Sequence, residues 1–274
     1  MNDGGRRRSA RFSCIRRRFR PLALALPLLI AAHRVTGAEI FEEIIEQRHA
    51  VDPDSILSIN NADGAIRVYG GDGSEIRIQA IKRAYTSDRL KSIVVDVKAT
   101  QKSVVIETIP PPKQGALSLG DRSGTVEYIV TVPHAIRITK LDLGNGELLV
   151  EGLRGGSATA RVVNGWLLAR NCFGDLDLTI ENGRLDAAYD WWENTKFSVK
   201  LSSSHGSIRT LIPSDALIGM TARTETGRVV NTLEMRKEIP GERVHAVNFA
   251  TGSEPRNAFE INSISGDIRI DKSY

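Results

Sequence analysis

From about residue 55 onward the chain alternates apolar and polar residues in short runs. Examples are Ile66-Arg67-Val68, Ile76-Arg77-Ile78, Val104-Val105-Ile106, Tyr128-Ile129-Val130-Thr131-Val132 and Ile136-Arg137-Ile138. Clusters of Gly, Pro, Asn, Asp and Ser separate these runs. Period two between turn signals predicts strands, and their succession predicts an all-β chain. No long stretch carries helical periodicity. The one helix-like window, residues 39–48, fits an edge strand about as well through Ile44-Ile45.

Superimposed on the alternation is a repeat: a glycine, usually after a small polar residue, with an aliphatic residue two places on. The glycines are Gly64, Gly146, Gly165, Gly174, Gly183, Gly206, Gly227 and Gly266, and each is followed at the second place by Ile, Leu or Val. The fourth place is apolar in six copies (Val68, Val150, Ala169, Leu178, Ala187, Ile270), so even places face inward and odd places outward. Gly146, Gly165 and Gly183 are 19 and 18 residues apart, and later gaps lengthen to 23, 21 and 39. A period near 20 describes a β-solenoid in which each turn holds two short strands and buries its apolar row only by stacking on its neighbours. Asn-Gly is equally a strong hairpin signal, so an antiparallel β-sandwich or meander is the structural alternative.

Residues 39–135 carry one copy of the repeat and read as a β-rich lobe capping the stack, with a long surface loop at 110–124. Residues 136–274 read as the repeat solenoid. Residues 1–38 are different in kind. They hold nine arginines and one acid, then an apolar run of about a dozen residues from Pro21 to Ala32, then Thr36-Gly37-Ala38. That order predicts a secretory signal peptide; the apolar run is short for a membrane span, which takes roughly 20 residues, and an uncleaved N-terminal anchor is the alternative. Removing it changes the charge. The whole chain is +4; of its 37 basic residues 28 remain beyond residue 38, against 32 acids, a net of −4. Nothing in that balance favours nucleic acid. Of the two cysteines only Cys172 lies in the body, so an internal disulfide is excluded and a small buried hydrophobe is the expected role.

The strings LSINNADGAIRVYGGDGSEIRIQAIKRA, VEYIVTVPHAIRITKLDLGNGELLVEGLRGG and ARVVNGWLLARNCFGDLDLTIENGRLDA occur in that order. They resemble the putative-adhesin family of bacterial β-strand-repeat proteins, a domain family of unknown function. The resemblance spans roughly residues 50–235. It implies an exported all-β protein with a β-helix-like stack, and it brings no catalytic residues. Two departures stand out: His134-Ala135 follows Pro133 where a glycine turn is usual, and Asp190-Trp191-Trp192-Glu193 sits in a lengthened turn.

A β-helix can be a glycan-active lyase or hydrolase, which needs carboxylates converging on one outward face. The outward places stack instead as Glu147, Trp166, Arg184 and as Leu149, Leu168, Asp186, with no acidic ladder. His49, His134, His205 and His245 show no metal-ligand spacing, and neither a cofactor nor a metal is expected. Two features mark a candidate interaction surface. Leu149, Trp166 and Leu168 are apolar at solvent places, so the face should be covered by the 39–135 lobe or by another molecule. Trp191 and Trp192 are consecutive, so one should pack and the other should either cover the turn or present a platform to a sugar or peptide. The expected function is a non-enzymatic, adhesin-like interaction scaffold of the bacterial cell envelope, periplasmic or at the surface, with an envelope protein or glycan as partner. A glycan-active enzyme and an envelope-stress signalling accessory are the alternatives.

Overall fold

The computed structural model describes residues 40–110, 124–233, 244–251 and 255–273. The expected leader and most of the 110–124 loop lie outside the described residues. In chain order the strands are β1 (Phe41–Ala50), β2 (Ile56–Gly71), β3 (Glu75–Ala84), β4 (Val94–Ala99), β5 (Ser103–Ile109) and β6 (Thr125–Pro133). Four long strands follow: β7 (Arg137–Glu151), β8 (Arg154–Arg170), β9 (Phe173–Ala188) and β10 (Ser198–Pro213). The last five are β11 (Ile218–Thr224), β12 (Val229–Asn231), β13 (Ala246–Ala250), β14 (Asn257–Ser265) and β15 (Ile268–Ser273). All fifteen belong to one sheet, so the chain is all-β. The window at 39–48 is strand β1. The helix present is elsewhere, a six-residue α1 (Ser87–Ser92) whose first turn is capped by the Thr86 hydroxyl accepting from the Arg89 amide.

Register settles how the Asn-Gly signals are used. β7, β8, β9 and β10 pair successively in parallel, with Gly146 opposite Gly165, Gly165 opposite Gly183 and Gly183 opposite Gly206. Trp166 is paired with Glu147 and Arg184, not with Val163 across a hairpin. A straight strand of this length would run about 50 Å, and the two-residue links after β7 and β8 reach only about 7 Å. Each long strand must therefore double back at its glycine, giving a first wall before the corner and a second wall after it. One such circuit is a rung, and neighbouring rungs lie about 4.8 Å apart.

Rows of inward residues run the length of this stack. On the second wall Tyr128, Ile66, Leu148, Leu167, Leu185, Ile208, Ile268 and Val229 stand in register, all buried. On the first wall Ile106, Ile59, Leu141, Ala160, Leu178, Leu201, Ile261 and Ala222 do the same. Each rung contributes a thin slice to a shared core, which is why no rung is stable alone. The corner adds a polar row. The side-chain amides of Asn182, Asn164 and Asn145 each donate to the residue below, at 3.1, 2.9 and 2.7 Å, and the run ends on the Asp63 carboxylate. An acceptor-only group is the right terminus for such a directional chain.

Both ends depart from chain order. β2 pairs in parallel with β7, so residues 56–71 continue the register of the repeats. The rung beyond β2 is made of two pieces, β5 on the first wall and β6 on the second. At the other end β14 and β15 lie against β10, while the earlier segments β11 and β12 lie outside them. Antiparallel strands then finish the stack: β4 on β5, β3 on β6 and β1 on β3 at one end, and β13 on β11 at the other. Breaking the parallel pattern in this way limits edge-to-edge growth.

Candidate interaction surface

The outward places of the second wall form three rows. The first runs Ala65, Glu147, Trp166, Arg184. The second runs Arg67, Leu149, Leu168, Asp186, Arg209, and the third Tyr69, Glu151, Arg170, Ala188, Leu211. Leu149 and Leu168 are adjacent and half-buried, and Trp166 beside them is 38% exposed. Of the leading lobe, β2 and β6 extend the wall end-on, β2 pairing with β7 and β6 with β2. The described residues of the lobe lie beside the apolar strip rather than over it, because β2 is itself a rung and holds its neighbours in the plane of the wall.

The strip is apolar but rigid. The Trp166 indole Nε1 donates to Asp186 Oδ2 at 2.6 Å, and Arg184 Nε donates to Asp186 Oδ1 at 2.9 Å. Asp186 stands in an outward row yet is only 3% exposed, because the residues that bond it also bury it. A charge so placed is tolerable only with both partners. Arg67 bridges to Glu127 and lies 3.7 Å from Glu147, so the strip is flanked by ion pairs.

Trp191 and Trp192 sit in the lengthened link between β9 and β10, and their side chains part company as consecutive residues should. Trp192 joins a cluster with Tyr189, Phe197 and Phe259, ring centroids 5.4, 5.5 and 6.4 Å away. Trp191 is 45% exposed, backed by Phe173 at 5.9 Å. Its Nε1 donates to Glu193 Oε1 at 3.1 Å, and Arg154 Nε donates to the same oxygen at 3.0 Å. Both exposed indoles are thus pinned by a carboxylate that an arginine also holds. At the base of the loop, Asn171 and Arg170 donate to Asp190; the Asn171 amide foremost, and then Arg170, hold that carboxyl below its ordinary range against the opposing effect of burial.

Cys172 lies beneath this loop, buried, with its thiol pushed up to about 11 by desolvation. A thiol protonated at neutral pH is no nucleophile. Among the described residues no group of three His, Cys, Asp or Glu side chains could hold a metal ion. No described helix is long and apolar enough to cross a membrane.

A further concavity, not anticipated from the sequence, lies on the first wall near the glycine corner. It has a volume of about 420 Å³ and is lined by Thr179, Ser202, Ser203, Ser204, Arg223, Glu225, Asn262, Ser263 and Ile264. Its signal was present: the inward corner row reads Leu143, Val162, Ile180 in the middle rungs and then Ser203, Ser263, Thr224. The loss of an aliphatic row marks the cleft.

The chain shares its fold with a putative cell adhesion protein. That crystal structure, from Clostridium sporogenes, superposes with a TM-score of 0.51 at 16% identity, covering 84% of this chain and all of the other. A putative adhesin from Bacteroides fragilis matches at a TM-score of 0.29 and 10% identity, over 83% of this chain and 97% of its own. A putative lipid binding protein from Parabacteroides distasonis matches at 0.28 and 10%, over 85% and 97%. No family model and no curated protein matches the chain.

Proposed function

We propose that the chain is an exported, non-enzymatic, adhesin-like scaffold of the bacterial cell envelope, periplasmic or at the surface. Its contact face is the Leu149–Trp166–Leu168 strip, with Trp191 as a second exposed anchor and Trp192 as its packed support. The observation that carries this reading is the strip itself: apolar residues at outward places of adjacent rungs, Trp166 exposed and Leu149 and Leu168 half-exposed, held stiff by the Trp166–Asp186–Arg184 bonds. Rigid, half-exposed tryptophans lose little freedom on binding, which is why such residues anchor interfaces. Residues 1–38 act as the signal peptide, 39–135 as the leading β-rich lobe, and 136–274 as the β-repeat solenoid. Cell fractionation should recover the chain outside the cytoplasm with Glu39, or a residue close to it, at its N-terminus. In-cell photo-cross-linking from position 147, the exposed outward place beside Trp166, should give an envelope adduct that Leu149→Ser/Leu168→Ser abolishes while the melting temperature holds. Recovery in the cytoplasm with Met1 intact, or an adduct indifferent to the double substitution, would overturn the reading.

A further inference from the structure

The cleft on the first wall is not part of that strip, and its chemistry differs. Its rim is a row of outward polar residues in register across four neighbouring strands: Thr179 on β9, Ser202 on β10, Asn262 on β14 and Arg223 on β11. Three strand spacings make this row about 14 Å long, running along the stack axis. Its floor is the corner row where Ser203 and Ser263 replace the aliphatic residues of earlier rungs. Ser203 Oγ donates to the Gly206 carbonyl at 3.3 Å. Ser263 Oγ does not: the residue is 5% exposed, its hydroxyl has no partner, and it lines the cleft. A buried hydroxyl left unpaired in an otherwise satisfied corner is costly and calls for an explanation.

The geometry points to a saccharide site, for a neutral linear oligosaccharide of roughly two or three hexose units lying along the row. Three features select that ligand class. First, the lining is dense in hydroxyls and holds one guanidinium, Arg223, and one carboxylate, Glu225, neither in an ion pair among the described residues. One charge of each sign favours an uncharged ligand with many alternating donors and acceptors; a phosphate or a metal ion would need several like charges. Second, Asn262 Nδ2 donates to Glu260 Oε1 at 2.8 Å, which fixes the carboxamide and leaves its oxygen as an oriented acceptor over the cleft. Third, Ile264 is 51% exposed in the same lining, an apolar patch for the C–H face of a sugar ring. The volume of about 420 Å³ lies within the span of small-ligand pockets. The inference goes beyond the envelope-scaffold reading and uses residues on the opposite wall, so the two fail separately.

The test is a titration of the purified full chain, followed by amide chemical shifts, with maltotriose, cellotriose, tri-N-acetylchitotriose and, as the anionic comparison, trigalacturonic acid. At least one neutral trisaccharide should saturate at up to about 20 mM, the weak end of specific binding, with shifts grouped at Thr179, Ser202, Asn262, Ile264 and Arg223. Arg223→Ala and Asn262→Ala should each weaken binding by about tenfold or more with an unchanged melting temperature, since both side chains stand at outward places. Leu149→Ser/Leu168→Ser should leave the titration unaltered. The proposal is overturned if no neutral trisaccharide shifts these amides, if binding persists undiminished in Arg223→Ala and Asn262→Ala, or if trigalacturonic acid alone binds.

Discussion

Adding one methyl group at Gly165 should do damage on the scale of removing most of a core leucine. Gly165 sits at φ +140°, and a Cβ built there would lie 1.9 Å from the Gly146 carbonyl oxygen. Two separate costs follow. A side chain at such a φ is strained by about 1–3 kcal/mol. The contact is worse, because a methyl needs about 3.5 Å from its neighbour, so the rungs would have to part by roughly 1.5 Å. That is a third of the strand spacing and enough to break the backbone bonds around the corner. Two other glycines separate the costs. Gly73 has φ +149° with nothing within 4 Å of its Cβ, so Gly73→Ala carries the strain alone. Gly206 lies outside the left-handed region, but its Cβ would meet the Gly183 oxygen at 2.0 Å, so Gly206→Ala carries the clash alone. Denaturant unfolding of the three variants should give a loss of about 1–3 kcal/mol for Gly73→Ala. For Gly165→Ala it should give at least about 2 kcal/mol more, with a Tm lower by roughly 10 °C or more. Gly206→Ala should fall between them or near Gly165→Ala. If Gly165→Ala and Gly73→Ala lose the same stability, the corners are not in contact and the stacked register is wrong.

Leu167→Ala, in the middle of the second-wall row and fully buried, should cost about 2–5 kcal/mol in the same assay. Trp166→Phe keeps an aromatic ring, though a smaller one, and removes the donor to Asp186; leaving that buried carboxylate with Arg184 alone should cost about 1–3 kcal/mol. Asp190→Asn should lower stability at neutral pH, because the native carboxyl sits below its ordinary value of 3.8. Stability from a depressed carboxyl is present above the unfolded value and lost as pH falls through the native one, so wild type and variant should converge as the pH falls below the ordinary value of 3.8. A difference that stays constant from pH 7 to pH 2 would assign the Asp190 effect to packing.

Much of the architecture could be read from residues alone, for a physical reason. Alternation and the recurring glycine are local, and each copy carries its own inward pair, such as Leu148 with Val150 or Leu167 with Ala169. The ambiguity between a parallel stack and hairpins was real, because Asn164-Gly165 supplies positive φ in either case. What decides it is the Asn side chain, which bonds to the next rung rather than across a turn. The end rungs were not legible. The 39-residue gap from Gly227 to Gly266 reads as an insertion, yet Gly266 lies on Gly206 and Gly227 lies on Gly266. Such non-local order leaves no trace in a period. The outward places of the repeat are enough to align Leu149, Trp166 and Leu168, whereas the buried setting of Asp186 depends on two side chains bending toward it. The hydroxyl cleft escaped because serine at an inward place looks like an ordinary irregularity until the neighbouring rungs are aligned.

The exchange of chain order at the two ends also bears on how a protein of this kind can change length over generations. Between Arg137 and Pro213 each rung is one unbroken run of chain, so duplicating or excising about 19 residues there would slide the rest along by one spacing and leave every junction intact. Outside that interval the same event would fail. The rung of β5 and β6 is built from two separate strands, and the rung of β14 and β15 lies between β10 and the earlier β11 and β12, so neither follows its inner neighbour directly along the chain. Lengthening is confined to the middle, and the two ends are inherited as fixed fittings.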